Sequence, residues 1–333
     1  MLSIETSSGK RFEAEKGTSI LEAAAAAGVT LPYSCKTGRC STCKCKVTSG
    51  RTEVLAPESG LTEEEKQAGW VLSCVRSALS DLVIEVADLG DRVLPAVRTW
   101  PCRVQRIARL APDVVQVWLR LPPNADFGFI PGQYIEVIGA GGIRRSYSLA
   151  NSPSEDKLLE LHIREVAGGE MSRYWFGEAR ENDLLRLSGP RGTFFLRDVA
   201  GLDLIFLATG TGIAPVKAML EALPTIPPGQ EPRSVSVFWG GRVESDLYLD
   251  LPALQGAFHF EPVLSRAGAD WGGARGHVQQ VLLDTRPDLS GAAVYACGSD
   301  AMIHSAREQL QTAGLPAHRF YSDAFVCSAP NPL

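Results

Sequence analysis

The chain has 333 residues, which is too long for one ordinary domain and suits two or three. Its composition, with 45% hydrophobic and 21% charged residues, is globular, and no apolar run reaches the length of a membrane-spanning helix. The net charge of −5 disfavours nucleic acid as a partner, because nucleic-acid-binding proteins normally carry a basic patch. Without a charged-then-apolar leader, the expected location is the cytoplasm, with neither membrane nor nucleic acid as a partner.

The first ninety residues begin with short, regular elements. Residues 2–15 predict two strands, and Ser19 with Glu22 has the spacing of a capping box at a helix start. Thr62 before three glutamates predicts a second helix, because acids are favoured at the positive end of a helix. Residues 81–86 predict a closing strand.

Four cysteines give this segment its chemistry. Cys35, Cys40 and Cys43 are separated by four and then two residues, and Cys74 follows later. This is the ligand spacing of a plant-type [2Fe–2S] cluster. Gly38 allows the loop to turn tightly, so that backbone N–H groups point at the cluster sulfurs and tune the reduction potential. The spacing therefore predicts that these four cysteines are iron ligands.

Two alternatives remain open at this point. Zinc would use Cys40 and Cys43 as one half-site, but a second half-site is missing and the first histidine is His162. Disulfides are possible because the chain has eight cysteines, although they are rare in the cytoplasm. Three other cysteines are interpreted as packing residues: Cys45, Cys102 and Cys327.

The order of elements predicts three domains. Residues 1–90 resemble plant-type ferredoxins of the β-grasp fold, which is an α+β fold, and residues 88–99 are interpreted as a linker. In residues 99–199, short apolar runs separated by Gly and Pro predict an antiparallel β-barrel. In residues 200–333, continuous apolar runs followed by helical stretches predict a doubly wound parallel α/β domain, with ligand at the carboxyl ends of its strands.

The barrel segment contains the run Arg145-Ser146-Tyr147-Ser148. This run resembles the Arg-x-Tyr-Ser flavin motif of the ferredoxin–NADP reductase superfamily. The resemblance implies that Arg145 pairs with the FAD pyrophosphate, that Tyr147 stacks on the isoalloxazine, and that Ser148 hydrogen-bonds near flavin N5. A guanidinium fork suits a phosphate, and a flat ring suits a flat ring.

Two further segments resemble the flavin site of this superfamily. A second strand contains His162 and Arg164, and a glycine-rich loop then leads into a helix. Such a loop presents N–H groups at a helix start, which is an anion site. The resemblance implies that residues of this loop contact the FAD phosphates: Gly169, Met171 and Ser172.

The last domain contains a loop that resembles the pyridine-nucleotide loop of the same superfamily. Its glycines allow close backbone approach, and the following helix start accepts the pyrophosphate. The loop is not a Gly-x-Gly-x-x-Gly fingerprint, which disfavours an ordinary Rossmann dehydrogenase. The implied cofactor-binding residues are Thr209, Gly210, Thr211, Gly212 and Pro215.

Two C-terminal elements complete the resemblance. Cys297 and Gly298 end a strand and Met302 lies in the next turn, which implies a position for the cysteine beside the nicotinamide. Asp323 and Phe325 resemble a Glu-x-aromatic element whose aromatic ring covers the flavin. The implied catalytic residues are Ser148, Cys297, Asp323 and Phe325. A buried packing thiol for Cys297 and a core position for Phe325 remain open.

The loop after the second parallel strand bears on cofactor choice. Arg242 could bind a 2′-phosphate, whereas Glu244 and Asp246 would repel one. One cation against two anions favours NADH over NADPH, although Asp246 could instead begin the next helix.

The three predicted cofactors form one chain of electron transfer. A nicotinamide gives two electrons together as a hydride, a [2Fe–2S] cluster accepts one at a time, and a flavin does both. The whole chain therefore resembles iron–sulfur flavoprotein reductases that pass electrons to an acceptor protein. Narrower runs, including 171–176 and 320–328, resemble the CDP-6-deoxy-3,4-glucoseen reductases, which implies a dehydrase as acceptor. An oxygenase reductase and, from another class, a non-catalytic redox sensor remain open.

Overall fold

A computed structural model describes residues 1–87, 89, 93–251, 254 and 256–325 of the chain. The chain divides into two compact units, Met1–Leu94 and Pro95–Leu333. None of the helices in these described ranges combines the length and apolar character that crossing a bilayer requires. Residues 326–328 of the run 320–328, which include Cys327, lie outside the described residues.

The first unit is a mixed sheet with short helices. Its main sheet has the order β2-β1-β7-β3-β5, in which β1 pairs with β7 in parallel and the other pairs are antiparallel. Strands β4 and β6 form a separate ribbon. The elements are β1 (Leu2–Thr6), β2 (Arg11–Ala14), α1 (Ile20–Ala26), β3 (Lys44–Ser49), β4 (Thr52–Val54), α2 (Glu63–Gln67), β5 (Trp70–Leu72), β6 (Arg76–Ala78) and β7 (Leu82–Glu85).

Both helices of this unit begin where the sequence predicts, and both starts have a capping box, which the sequence analysis predicted only at Ser19. The Ser19 side chain accepts from the N–H of Glu22, and Thr62 accepts from the N–H of Glu65, with each glutamate bonding back to its cap. A reciprocal box satisfies two backbone N–H groups that otherwise lack partners. The apolar face of α1 then packs into the core through Ile20 and Leu21.

The second unit begins with an antiparallel sheet of order β11-β10-β13-β8-β9-β12. A bridge between Leu149 and Leu161 brings the two edges together, so the sheet closes towards a barrel around a core that includes Ile135 and Leu119. The elements are β8 (Arg98–Ala111), β9 (Val114–Arg120), β10 (Tyr134–Ile138), β11 (Arg144–Ser148), β12 (Leu158–Arg164), α3 (Glu170–Arg173) and β13 (Leu184–Arg191).

The parallel sheet that follows has the order β17-β16-β15-β14-β18-β19. The chain moves outward from β14 on one side and returns to β18 on the other, so the carboxyl ends of β14 and β18 form a topological switch point, where ligands bind in such folds. The elements are β14 (Asp203–Thr209), α4 (Ile213–Ala222), β15 (Ser234–Gly241), β16 (Phe258–Leu264), β17 (Ala274–Arg275), α5 (Val278–Thr285), β18 (Ala292–Gly298), α6 (Asp300–Thr312) and β19 (Phe320–Ala324).

The predicted fold class is confirmed: an α+β ferredoxin sheet, an antiparallel barrel-like sheet and a parallel α/β sheet follow one another along the chain. The limits of the three predicted domains, 1–90, 99–199 and 200–333, stay a prediction. Part of the predicted linker 88–99 falls on residues that are not described, and β8 begins within it at Arg98.

Candidate functional site

The four predicted iron ligands lie in two pairs. The thiols of Cys43 and Cys74 are 3.2 Å apart, and the Cys40 sulfur accepts from the backbone N–H of Cys35 at 3.4 Å. All four are free cysteines. Across the described residues, no group of three or more His, Cys, Asp or Glu side chains suits a single metal ion. Two pairs suit a cluster of two irons, each of which takes two cysteines.

Hydrogen bonds within each cysteine pair favour one thiolate, because they lower the pKa of Cys35 and Cys74 and raise the pKa of their partners Cys40 and Cys43. A hydrogen bond with the Cys40 thiol, together with N–H groups of Thr37 and Arg39, lowers the pKa of Cys35 to about 5. Hydrogen bonds with the Cys43 thiol and the Gly38 N–H lower the pKa of Cys74. Because iron binds thiolates, the predisposed sulfurs and the surrounding N–H donors fit a cluster.

The chain at Pro57 packs closely against the cluster loop at Gly38. Gly38 has φ +74°, and a Cβ there would lie 2.3 Å from the carbonyl oxygen of Pro57, so only glycine fits. The buried carboxylate of Glu58 accepts from the N–H of Leu72 at 2.8 Å and from Arg76 at 2.6 Å. This buried pair fixes the segment that precedes Cys74, a role that the sequence reading missed.

The flavin motif lies on β11, where its side chains alternate between the two faces of the sheet. Ser148 is buried at the end of the strand, and Arg145 and Tyr147 are half-buried. The indole N–H of Trp175 donates to the Tyr147 hydroxyl at 3.1 Å, and the two rings meet edge to face. Burial raises the pKa of Tyr147 to about 12, so the phenol stays protonated.

The loop after β12 encloses a cavity of about 410 Å³, which Gly169 and Ser172 line. The Ser172 hydroxyl accepts from the N–H of Val166 at 2.8 Å and closes the loop. Met171 instead lies in the barrel core, where its sulfur sits 2.4 Å from the position of a Cβ on Gly139. The side chain of Met171 is therefore a packing group, and a cofactor contact through its backbone N–H stays a prediction.

His162 and Arg164 lie on β12 but face different surroundings. The His162 ring bonds to Glu160 at 2.8 Å and to the Tyr248 hydroxyl at 3.1 Å, and its side chain is 1% exposed. A ring with both nitrogens engaged in the protein interior is disfavoured as a cofactor contact. Arg164, by contrast, reaches the nucleotide side and donates to Asp246 at 3.3 Å.

A larger cavity, of about 630 Å³, opens at the carboxyl edge of the parallel sheet. Its walls come from the ends of β14, β15, β16 and β18 and from the starts of α5 and α6, as expected for a doubly wound fold. The predicted site residues that line it are Arg164, Thr209, Gly210, Thr211, Arg242, Gly298, Met302 and Phe325.

Close backbone packing builds the floor of this cavity. A Cβ on Gly212 would lie 2.3 Å from the carbonyl oxygen of Cys297, so the loop after β14 and the end of β18 touch directly. The Thr209 hydroxyl accepts from the N–H of Ser299 at 2.9 Å and fixes the two loops together. Gly212 therefore serves the contact between neighbouring strand ends, and Pro215 is buried in the first turn of α4.

Cys297 and Phe325, two of the predicted C-terminal site residues, lie in different surroundings. Cys297 is fully buried in the core, where burial first and the nearby Asp323 second raise its pKa well above the usual range. The packing interpretation of Cys297 is therefore favoured over a direct nicotinamide contact. Asp323 is also buried, opposite Cys297 in the sheet. Phe325 is 37% exposed and lines the cavity, which excludes a core position for it.

Asp246 does not begin a helix of its own. It closes a short turn over Glu244–Asp246 by accepting from the N–H of Arg242 at 2.7 Å. Burial raises the pKa of Asp246, whereas the hydrogen bond from the Arg242 N–H and the charge of Arg164 lower it. The net shift is downward, so the Asp246 side chain is an anion. Its charge is directed to Arg164 and Arg242, whereas Glu244 is exposed.

Comparison with known proteins identifies these parts. Residues 4–78 match the 2Fe-2S iron-sulfur cluster binding domain, residues 101–196 the oxidoreductase FAD-binding domain, and residues 206–308 the oxidoreductase NAD-binding domain. The CDP-6-deoxy-L-threo-D-glycero-4-hexulose-3-dehydrase reductase of Yersinia pestis is 40% identical over 96% of this chain and 97% of its own length. The chain belongs to the iron–sulfur flavoprotein reductases.

The names of other similar proteins mention different electron-transfer partners. The xylene/toluene monooxygenase electron transfer component of Pseudomonas putida is 33% identical over 97% of this reductase and 93% of its own length. The crystal structure of an Amycolatopsis cytochrome P450 reductase superposes with a TM-score of 0.74 at 31% identity, covering 99% of this chain and all of that one. The predicted family, cofactor classes and reductase activity are thereby confirmed.

Several residues that line the cavity of this reductase were not predicted from the sequence as site residues. Their signal is positional, because they end or follow a parallel strand or lie in the first two turns of a helix at the same edge. Strands β16 and β17 were not anticipated, so the residues after them were not either. These further lining residues include Gly240, Gly241, Ser265, Gly276, His277, Gln279, Ser299 and Ser305.

Proposed function

We propose that this reductase takes electrons from NADH and passes them through FAD and a [2Fe–2S] cluster to a partner dehydrase. Family membership establishes the reductase and its cofactor classes; the dehydrase, the preference for NADH and the residue roles are the proposal. The observation that carries the choice of partner is the 40% identity with a dehydrase reductase along nearly the whole of both chains, against 33% with a monooxygenase component.

The flavin site is proposed to bind and orient its cofactor through β11. When bound, FAD accepts a hydride and releases single electrons, which the cluster takes one at a time. The half-buried guanidinium of Arg145 supplies a fixed cation for a phosphate. Tyr147, held by Trp175, offers a rigid aromatic face, and Ser148 supplies a hydroxyl at the strand end.

The nucleotide cavity is proposed to bind NADH along the switch point. The N–H groups at the start of α4, after Thr209, face a pyrophosphate with the positive end of a helix. Arg164 adds a cation beside Gly210 at the same edge. Phe325 covers the end of the cavity near Gly298, and its backbone N–H is held by the Gly298 carbonyl at 2.8 Å.

The cluster loop is proposed to bind iron through Cys35, Cys40, Cys43 and Cys74. The other three described cysteines, Cys45, Cys102 and Cys297, are free thiols, which fits the predicted cytoplasmic location because reducing compartments keep thiols free.

We predict a higher kcat/KM for NADH than for NADPH. Arg242 lines the cavity in the loop after β15, where a 2′-phosphate is recognised in such folds, but Asp246 lies 3.5 Å from its Nε and offsets its charge, while exposed Glu244 repels a phosphate. Glu244→Lys reverses one of these charges. In steady-state assays it should narrow the preference about tenfold, equivalent to about 1.4 kcal/mol in transition-state binding.

The matched control is Glu308→Lys. Glu308 is an exposed residue of α6 and is not among the described residues that line the cavity, so the same change of net charge leaves the preference alone. Equal or better use of NADPH by the unchanged protein would overturn this prediction and indicate that Arg242 binds the phosphate.

The partner is tested by direct electron transfer. The protein is reduced with NADH under anaerobic conditions and mixed with a purified CDP-hexulose 3-dehydrase loaded with substrate, or with the hydroxylase component of an aromatic monooxygenase. The proposal expects turnover with the dehydrase and little with the hydroxylase. The opposite result would favour the oxygenase assignment, for which the 31% identical P450 reductase is the structural precedent. A protein that NADH does not reduce at all would be the redox sensor.

A further inference from the structure

A polar seam crosses the second unit between the antiparallel sheet and the parallel sheet. Its hydrogen bonds join side chains and carbonyl groups from β12 and the chain after β11 to α4 and the segment after β15. We define the polar seam by its members: Ala150, Ser152, Glu160, His162, Lys217, Ala218, Glu221 and Tyr248.

Lys217 is the centre of this seam. It lies on α4, the helix that begins at the nucleotide loop, and its ammonium has three hydrogen bonds. The acceptors are Glu160 at 2.7 Å, Glu221 at 2.7 Å and the carbonyl oxygen of Ala150 at 3.0 Å. Ala150 follows the flavin strand β11 after one intervening residue. A single side chain therefore ties the nucleotide helix to the chain that ends the flavin motif.

Two further bonds extend the same attachment along α4. The backbone N–H of Ser152 donates to Glu221 at 2.9 Å, and the Ser152 hydroxyl donates to the carbonyl oxygen of Ala218 at 3.1 Å. Because Lys217 also pairs with Glu221, it holds that carboxylate in place for Ser152. Loss of Lys217 would loosen the whole row.

The other end of the polar seam connects to the nucleotide loop, at Gly210, through a second set of contacts. His162 on β12 bonds to Tyr248 at 3.1 Å, and the Tyr248 ring packs edge to face on Trp239 of β15. The Trp239 indole N–H donates to the carbonyl oxygen of Gly210 at 3.0 Å. Glu160 joins both ends, since it accepts from Lys217 and bonds to His162.

Burial strengthens the hydrogen bonds between the charged groups of the polar seam, because the protein interior screens charges less than water does. Glu160 is 1% exposed, and Gln116 adds a third partner at 2.5 Å. Burial raises its pKa, but hydrogen bonds from His162 and Lys217 outweigh that effect, and the net shift is downward. Burial lowers the pKa of Lys217, whereas Glu160 and Glu221 raise it to a net upward shift. Both groups are therefore charged, and an apolar contact of equal area would allow sliding that these bonds do not.

We propose that Lys217 is a positioning residue, which fixes the nucleotide loop against the flavin strand at the distance that hydride transfer requires. This inference rests on the proposed function. Reacting atoms must approach to about 3–3.5 Å, and a displacement of about 1 Å costs on the order of a hundredfold in rate. Lys217 is itself outside the cavity lining among the described residues, so its effect acts through Ala150 and α4.

The test compares Lys217→Met with the unchanged, FAD-loaded protein by anaerobic stopped-flow with NADH. The limiting rate of flavin reduction should fall at least about tenfold, while FAD content and the apparent Kd for NADH stay within about twofold. Lys217→Arg, which keeps the cation, should recover part of the rate. Lys157→Met is the matched control, because Lys157 also binds two carbonyl oxygens, of Pro123 and Ala125, but these lie in the chain between β9 and β10 and not in α4.

A second readout requires no turnover. Amide hydrogen exchange of the peptide that contains Ser152 should be faster in Lys217→Met than in the unchanged protein, and unaltered in Lys157→Met, because only the first variant frees the Glu221 carboxylate. If Lys217→Met is not recovered as folded protein, Tyr248→Phe, which removes one seam hydroxyl and keeps the ring, must slow flavin reduction in the same manner.

The outcomes separate this inference from the proposed function. Failure of NADH to reduce the flavin of the unchanged protein would overturn the proposed function and the inference with it. Normal reduction of the unchanged protein with a limiting rate within twofold in Lys217→Met, or a change in the Kd for NADH alone, would overturn the inference and leave the function standing.

Discussion

Cys40→Ala should yield a protein that retains FAD and the ability to reduce ferricyanide with NADH, yet contains no cluster. Cys40 forms one of the two cysteine pairs with Cys35, and alanine has no atom that ligates iron. The flavin and nucleotide sites lie in the other compact unit, with cores of their own. Iron and sulfide should fall from about two each per chain to near zero, and reduction of the partner should cease.

Cys45→Ala is the matched control for this result. Cys45 lies two residues beyond Cys43 and is fully buried in β3, where burial raises its pKa to about 12. Cys45 belongs to neither of the two cysteine pairs of the cluster loop, so iron, sulfide and the electron paramagnetic resonance of the reduced cluster should all persist. A normal cluster in Cys40→Ala, or its loss in Cys45→Ala, would contradict the ligand assignment.

Gly212→Ala should damage the nucleotide domain more than its one added methyl group suggests. That methyl would lie 2.3 Å from the carbonyl oxygen of Cys297 and 2.8 Å from the nitrogen of Gly298, and both are backbone atoms. Neither can rotate away, so β14 and β18 must separate at the switch point. Overpacking of this kind costs about 1–3 kcal/mol or more, and each kcal/mol lowers Tm by about 2–4 °C in a domain of this size.

Binding should weaken together with stability, because the displaced loop carries the N–H groups at the start of α4. Thermal unfolding and the Kd for NADH measure the two effects separately. Gly268→Ala is the control, since no atom lies within 4 Å of its added Cβ and its φ lies outside the left-handed range. An unchanged Tm and Kd in Gly212→Ala would show that the close contact is not needed.

Local signals in the sequence predicted much of the architecture. The capping box at Ser19 and the three glutamates after Thr62 mark helix starts because each signal lies within about four residues of chain. Buried parallel strands such as β14 are recognisable as apolar runs bounded by glycines. By contrast, His259 and Glu261 interrupt the apolar residues of β16, so its sequence lacks the continuous apolar run of β14.

The site was less predictable because several roles depend on contacts across the fold. Asp246 could be read as a repelling anion or a helix start, and only the tertiary structure directs it to Arg164, 82 residues away in sequence. Met171 and Cys297 fit motif positions, yet neighbouring glycines and strands enclose their sulfurs in cores. Glu58 gave no signal at all, because a buried glutamate and an exposed one look alike in sequence.

The parallel pairing of β1 with β7 dictates an order of assembly during protein synthesis. The pairing of Ile4–Thr6 with Leu82–Ile84 can form only after the latter residues have been made, whereas β1 can pair with β2 at once. Cys74 is likewise made long after Cys35, Cys40 and Cys43. At about 5–20 residues per second, the nascent N-terminal unit waits several seconds with three of its four cysteines exposed. If all four cysteines hold the cluster, as proposed, its insertion can be completed only after Cys74 has been made.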